Sequence, residues 1–250
     1  MMILGALAVS VALYSCKDDS DKVDVVDIPG QTISLAYDFE SDDEGWNAGI
    51  SDIPSGELDN YFLDAEQVSD IPFDSNGALK VAASNPNHEF FLYVSKKITG
   101  LEPNTSYNVS FNVDLAANVT LDTTVIDTTG VGGDTTGVVG DSIDVDIVNL
   151  NDSVIIKAGA VAEEPATEPD DLDFLRLIFD KGEIGIDGSD MVVIGRYLAS
   201  GNFASQTASN EEAFRISTNE DGELWLVVGA ESTGDELELY FDSIAVEIDE

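Results

Sequence analysis

The chain reads as an all-β protein in which two antiparallel sheets stack into a sandwich, and three observations carry that reading. Between Thr105 and Leu115 the residues Tyr107, Val109, Phe111, Val113 and Leu115 alternate without a break against Asn108, Ser110, Asn112 and Asp114, and a period of two gives a strand one dry face and one wet face. A dry face this long, built from aromatic and β-branched residues, needs a second layer to cover it. Similar short runs recur along the chain with turn residues between them, and no long helical period interrupts them.

Taken in order, residues 1–15 carry no charged side chain, and the run Ile3 to Tyr14 is too short to span a bilayer but suits the core of a signal peptide. It ends in Leu13-Tyr14-Ser15-Cys16, which resembles the lipobox of bacterial lipoproteins, although no Lys or Arg precedes the apolar run. The resemblance implies that Cys16 is lipidated and becomes the mature first residue, so that membrane contact is through a lipid anchor only. An apolar N-terminal helix with a buried cysteine is the alternative. Residues 16–32 form a flexible tether: Lys17-Asp18-Asp19-Ser20-Asp21-Lys22 has no apolar period. A lysine followed by paired acids after such a cysteine resembles the surface-export signal of some Gram-negative lipoproteins, which implies an outer-membrane or cell-surface location. An acidic linker without sorting content is the other reading.

Fifty acidic and ten basic side chains give a formal charge of -40 over 250 residues, a field that repels nucleic acid and anionic lipid and leaves neutral ligands and divalent cations as partners. With one cysteine the fold has no internal disulfide and must hold by packing and hydrogen bonds.

The sandwich domain is predicted over residues 33–250. Its strands are Ile33 to Phe39, a weaker run from Tyr61 to Val68, then Ala78 to Ala82, Glu89 to Ile98 and the long strand introduced by the turn Glu102-Pro103-Asn104. Further on come Val154 to Val161, Phe174 to Phe179, Met191 to Leu198, Phe214 to Ser217, Leu224 to Val228 and Leu237 to Ile248. The last of these changes phase, with Leu237, Leu239 and Phe241 on one parity and Ile244, Val246 and Ile248 on the other, which predicts a bulge near Asp242-Ser243.

Asp38-Phe39-Glu40 with Gly45-Trp46, the segment Gly100-Leu101-Glu102-Pro103-Asn104-Thr105-Ser106-Tyr107, and Leu239-Tyr240-Phe241-Asp242-Ser243-Ile244-Ala245-Val246 together resemble the jelly-roll carbohydrate-binding modules of the galactose-binding-like type. The resemblance implies a two-sheet antiparallel jelly-roll sandwich and a structural calcium ion near the junction of the first and last strands. Glu40 and Asp242 match the acids that hold it, and Asp38, Asp42 and Asp43 stand close enough in sequence to add oxygens. Read without the resemblance, the same acids are solvated turn residues.

Between Phe111 and Phe174 no aromatic residue occurs, so residues 118–152 are predicted to be a low-complexity insertion, a Gly/Asp/Thr-rich loop or ribbon. It contains the tandem repeat Asp127-Thr128-Thr129-Gly130-Val131-Gly132-Gly133 and Asp134-Thr135-Thr136-Gly137-Val138-Val139-Gly140, preceded by Asp122-Thr123-Thr124. The order does not reproduce that of calcium-binding β-rolls. Asp-Thr-Thr resembles a bacterial O-glycosylation acceptor, which implies modification at Thr123, Thr128 and Thr135. Val154 to Val161 is expected to pair back on Ile143 to Ile147 as a projecting ribbon.

Catalytic signatures are sparse. The sole histidine, His88, stands at a strand entrance with no G-x-S-x-G elbow, and there is no P-loop, dinucleotide fingerprint or CxxC. A sugar site needs an aromatic face beside amides and carboxylates; Trp46, Tyr61 and Phe62, then Tyr197 with Asn202, are the candidates, with Trp46 alternatively a core residue. Trp225, within Leu224-Trp225-Leu226-Val227-Val228, is read as core. The function expected is that of a non-catalytic, lipid-anchored extracytoplasmic binding protein for glycan. A structural or adhesive lipoprotein that binds surface proteins is the alternative, and a glycoside hydrolase with unrecognised acids the third.

Overall fold

The computed structural model describes residues 22–69, 71, 76–84, 90–120, 153–198, 205–210 and 212–250. Cys16, His88, Asn202 and the repeat threonines Thr123, Thr128 and Thr135 lie outside them. In chain order the strands are β1 (Lys22–Asp24), β2 (Ile33–Tyr37), β3 (Asn47–Ser51), β4 (Ile53–Pro54), β5 (Asp64–Val68), β6 (Ala78–Ser84), β7 (Phe91–Thr99) and β8 (Ser106–Thr120). They continue with β9 (Ser153–Val161), β10 (Thr167–Pro169), β11 (Phe174–Leu177), β12 (Met191–Leu198), β13 (Gln206–Ser209), β14 (Phe214–Ser217), β15 (Leu224–Glu231) and β16 (Glu236–Asp249).

Two sheets form the jelly-roll sandwich. The first runs β1, β7, β15, β9, β12, with β3 on the same edge of β7 as β1; the second runs β13, β8, β16, β6, β5, with β14 beside β8 and β2 beside β16. Strand β8 is the alternating run that first signals the fold, and Tyr107, Val109, Phe111, Val113 and Leu115 all point into the core. Its partner β16 shifts register between Phe241 and Ser243. On one side of that bulge β16 pairs with β6, and on the other with β2. The change of phase therefore lets one strand serve two neighbours while Leu239, Phe241, Ile244 and Val246 stay buried.

Three expectations need correcting. Asn118, Val119 and Thr120, expected to open the insertion over residues 118–152, belong to β8 and pair with Glu238, Leu237 and Glu236 of β16, and residues 121–152 lie outside the described residues. The flexible tether assigned to residues 16–32 is shorter than that, because Lys22–Asp24 adds to β7 as a parallel edge strand, Val25 donates its N–H to the Thr99 carbonyl at 2.8 Å, and the Val25 side chain is buried. Three residues carry no period to read. Nor does Val154 to Val161 belong to a projecting ribbon: β9 lies inside the first sheet with β15 on one edge and β12 on the other, so both ladders are taken. Its near-continuous apolar sequence is that of a strand covered on both faces.

The second cover on β9 comes from a small third layer, in which β10 pairs with β11 and β11 with β4. The chain from β11 to β12 lies across the outer face of the first sheet. Gly159 shows how closely it lies: a Cβ there would stand 2.1 Å from the carbonyl oxygen of Asp190.

Candidate functional site

Along β15 the side chains alternate, Leu224, Leu226, Val228 and Ala230 facing the inter-sheet core and Trp225, Val227 and Glu231 facing outward. On this outer face Phe91, Tyr93, Val161, Met191 and Val227 make a second apolar cluster, against which Leu177, Phe179 and Trp225 pack. Phe91 and Tyr93 stack at 5.8 Å, and burial pushes the Tyr93 phenol up to about 12. Trp225 is therefore not part of the inter-sheet core: it is half-buried on the outer face, with the Lys97 ammonium 4.7 Å from its ring and Lys97 paired to Glu223 at 2.8 Å.

Next to this cluster lies a charge network that ties the third layer to the sheet. Glu231, 1% exposed, accepts from Lys157 at 3.0 Å and Lys181 at 2.9 Å on one oxygen, and from the Gly185 N–H at 2.9 Å on the other. Lys157, whose side chain is 0% exposed, also donates to the carbonyls of Lys181 at 2.8 Å and Glu183 at 2.7 Å, so its three N–H groups are all used. Lys181 divides its donors among Glu231, Asp52 at 3.0 Å and the Gly182 carbonyl at 3.2 Å. Arg176 completes the chain, with Nη1 to Asp52 at 2.6 Å, Nε to Asp170 at 3.1 Å and its guanidinium over the Phe174 ring.

The physical setting decides how these cations behave. Burial pulls the Lys157 ammonium below its ordinary value, and Glu231 opposes that without cancelling it. Burial acts the same way on Lys181 and Arg176, but the carboxylates around each outweigh it and hold both above their usual values. Two acids at the ends of the segment are set the other way: Asp170 accepts from the N–H groups of Phe174 and Leu172, and Asp180 from those of Ser189 and Gly182, which lowers both carboxyls.

A cavity of about 400 Å³ opens beside the network, a size within the range of small-ligand sites. Leu177, Phe179 and Ile184 give it an apolar wall, and Asp52, Arg176 and Lys181 a polar one; Phe90 also borders it but is buried in the inter-sheet core. Arg176 is the most accessible of these charges, its side chain 40% exposed. Two N–H groups on Nη2 and one on Nη1 have no partner among the described residues, and they are the donors a ligand can reach.

The residues predicted from sequence are not gathered here. Trp46 and Tyr61 are buried in the inter-sheet core, Trp46 edge-on to Tyr37 at 5.2 Å, so neither offers a stacking face. Phe62 is 74% exposed and has a left-handed backbone, φ 47°, beyond the 3-10 turn Leu58–Asn60. Tyr197 is half-buried on β12 at the far edge of the first sheet. Of the acids matched to calcium, Asp38 and Asp42 accept from the N–H groups of Glu40 and Glu44, and Glu40 accepts from the Asn76 amide. Asp242 stands in the β16 bulge, and among the described residues no three acids gather into a set that would hold a metal ion. The site residues missed from sequence are Asp52, Arg176, Leu177, Phe179, Lys181 and Glu231. The signal available for them was the buried lysine in the apolar run Val154 to Val161.

No family model matches the chain, and no curated protein does. Among solved structures, it is similar to the CBM22-1 xylan-binding domain of Paenibacillus barcinonensis Xyn10C, at 10% identity over 88% of this chain and 96% of that one, with a TM-score of 0.38. The mannan-recognising module TmCBM27 is 12% identical over 87% and 97%, at 0.34. A cleaved adhesin domain of Lys-gingipain from Porphyromonas gingivalis is 11% identical over 86% and 97%, at 0.33. At such scores no ligand carries over from them to this chain.

Breaking the buried pair leaves a charge without its partner, so Lys157→Met is expected to lower unfolding free energy by about 3–5 kcal/mol in urea titration; a loss under about 1 kcal/mol would show that the network does not hold the layer. Acid should loosen the same layer. Because Asp170 and Asp180 sit below the ordinary value of 3.8 in the fold, their contribution is complete above that value and is lost as pH falls through the folded-state values. Amide exchange over residues 180–190 measured between pH 6 and pH 3 checks this, and equal protection at both ends contradicts it.

Proposed function

We propose that this protein is a non-catalytic binding protein whose ligand is a glycan, held in the cavity between the third layer and the outer face of the first sheet. The observation that supports this reading most is the pairing of an apolar wall, Phe179, Leu177 and Ile184, with a polar wall whose groups are already fixed by one another. A sugar ring presents that same division, with C–H faces on one side and hydroxyls at the rim. Of the four carboxylates that line the space, Asp52 and Glu231 are bound to Lys181, Asp180 accepts from the Gly182 and Ser189 N–H groups, and Glu183 is exposed. Groups held as Asp52, Asp180 and Glu231 are orient a ligand; glycoside cleavage would need a pair of carboxyls free to exchange protons with substrate, and Glu183 alone does not make one.

Lipidation at Cys16 and an outward-facing location belong to this proposal, since a tethered platform with an acidic surface suits capture outside the cell. A structural calcium ion at the Glu40 and Asp242 corner is proposed too. It would require Glu40 to leave the Asn76 amide and turn toward the bulge. Chelation would then lower the melting midpoint; a midpoint indifferent to chelator removes the ion.

The binding reading is tested by affinity electrophoresis of residues 17–250 against a panel of soluble polysaccharides. At least one polymer should retard the protein without release of reducing ends, and Arg176→Ala should weaken that retention by at least about tenfold, or ~1.4 kcal/mol. Retention unaffected by Arg176→Ala places the ligand elsewhere, and release of reducing ends makes the protein a hydrolase.

A further inference from the structure

The chemistry of the polar wall narrows the ligand class, and the narrowing rests on the glycan reading above. Asp52, Asp180, Glu183 and Glu231 line the cavity against Arg176 and Lys181, four acids to two cations. Lys157 lies beneath, spent on Glu231 and two carbonyls. Neither cation at the wall is uncommitted: Arg176 holds Asp52 and Asp170, and Lys181 holds Asp52 and Glu231. A ligand carboxylate or sulfate entering here would meet cations whose charge is already compensated, and would stand beside acids that repel it. A hydroxyl is different. It donates and accepts at once, and the Arg176–Asp52 pair sets unfilled guanidinium N–H donors next to carboxylate acceptors.

We infer that the cavity selects uncharged sugars and rejects uronic and sulfated ones, through the compensated Arg176–Asp52–Lys181 wall and not through the overall charge of the chain. The two origins differ in range. Repulsion from a net charge of -40 acts over distance and fades as the Debye length contracts to about 4–5 Å near 0.5 M salt, whereas contact between a ligand carboxylate and the wall is screened far less.

The experiment takes whichever neutral polysaccharide is retained and compares it with the same polymer oxidised at its primary hydroxyls to uronate, at 20 mM and 500 mM sodium chloride, by isothermal titration calorimetry. Binding of the neutral polymer should change less than about threefold with salt. The oxidised polymer should bind at least about tenfold more weakly at both salt concentrations. Equal binding of the two polymers at 500 mM overturns the inference, because selection would then come from the chain's overall field. Tighter binding of the oxidised polymer overturns it too, and leaves the glycan reading standing. If no polymer of either kind binds at any salt, the glycan reading itself falls and the inference goes with it.

Discussion

The ion pair between Lys157 and Glu231, both closed off from solvent, is the constraint around which the outer face is arranged. A carboxylate taken into a protein interior is tolerable only if its oxygens are filled by donors, because the desolvation cost of an unpaired charge exceeds what the surrounding packing returns. Glu231 meets that condition with two ammonium groups and one backbone N–H, and the donors come from both layers. Lys157 rises from β9 in the sheet, while Lys181 and Gly185 descend from the segment above. Satisfying one side chain therefore fixes the height and position of the third layer. Its turns follow from that, with Asp180 bonding Gly182 and Ser189 to close the segment that Lys157 holds from below.

Cations are scarce in this chain, and where they are used is informative. Ten basic side chains face fifty acidic ones, and between Glu163 and Asp190 ten acids share the sequence with only Arg176 and Lys181. A segment so acidic would not lie on a sheet unaided, since its charges repel one another and favour solvent. Four of the ten cations converge on it: Arg176 and Lys181 from within, Lys157 from β9, and Arg196 from β12 through the Gly185 carbonyl. The rest of the surface is left strongly acidic. That excess disfavours contact with anionic lipid or nucleic acid. The same scarcity leaves the cavity with no uncompensated positive charge.

How much of this was legible in the amino-acid sequence depends on the kind of signal each part carries. Strand β8 was plain because one face is wet and period two records the difference, and the β16 bulge was plain because a change of parity has only one physical cause. Strand β9 was visible as a strand but misplaced, since a strand covered on both faces shows no alternation to say where it lies. Strands β1, β3, β4, β10 and β13 are each two to five residues long, sit at edges, and set no two large apolar side chains at alternate positions, as the equally short β14 does with Phe214 and Ile216. Trp225 reads as core in the sequence because its neighbours Leu224 and Leu226 are apolar. Its outward direction follows only from the cover that Leu177, Phe179 and Met191, between thirty-four and forty-eight positions earlier, bring to the outer face.

The cavity was the least legible part, for a reason particular to charged sites. Asp52 and Glu231 are far in the chain from each other and from Arg176 and Lys181, and each is an ordinary charged residue in an acidic sequence until the fold sets them on one another. Aromatic residues are a poor guide to the cavity, because Trp46 and Tyr61 are large enough that the core claims them. One residue did break the local pattern: a lysine at position 157, inside Val-Ile-Ile-Lys-Ala-Gly-Ala-Val, is the wrong chemistry for a buried strand unless something outside the strand completes it. Its depressed ammonium and three filled donors show that completion. A buried charge within an apolar run thus marks where another layer must come down. The wall which that layer builds at its exposed end, around Arg176, is the part of the molecule with donors left to offer.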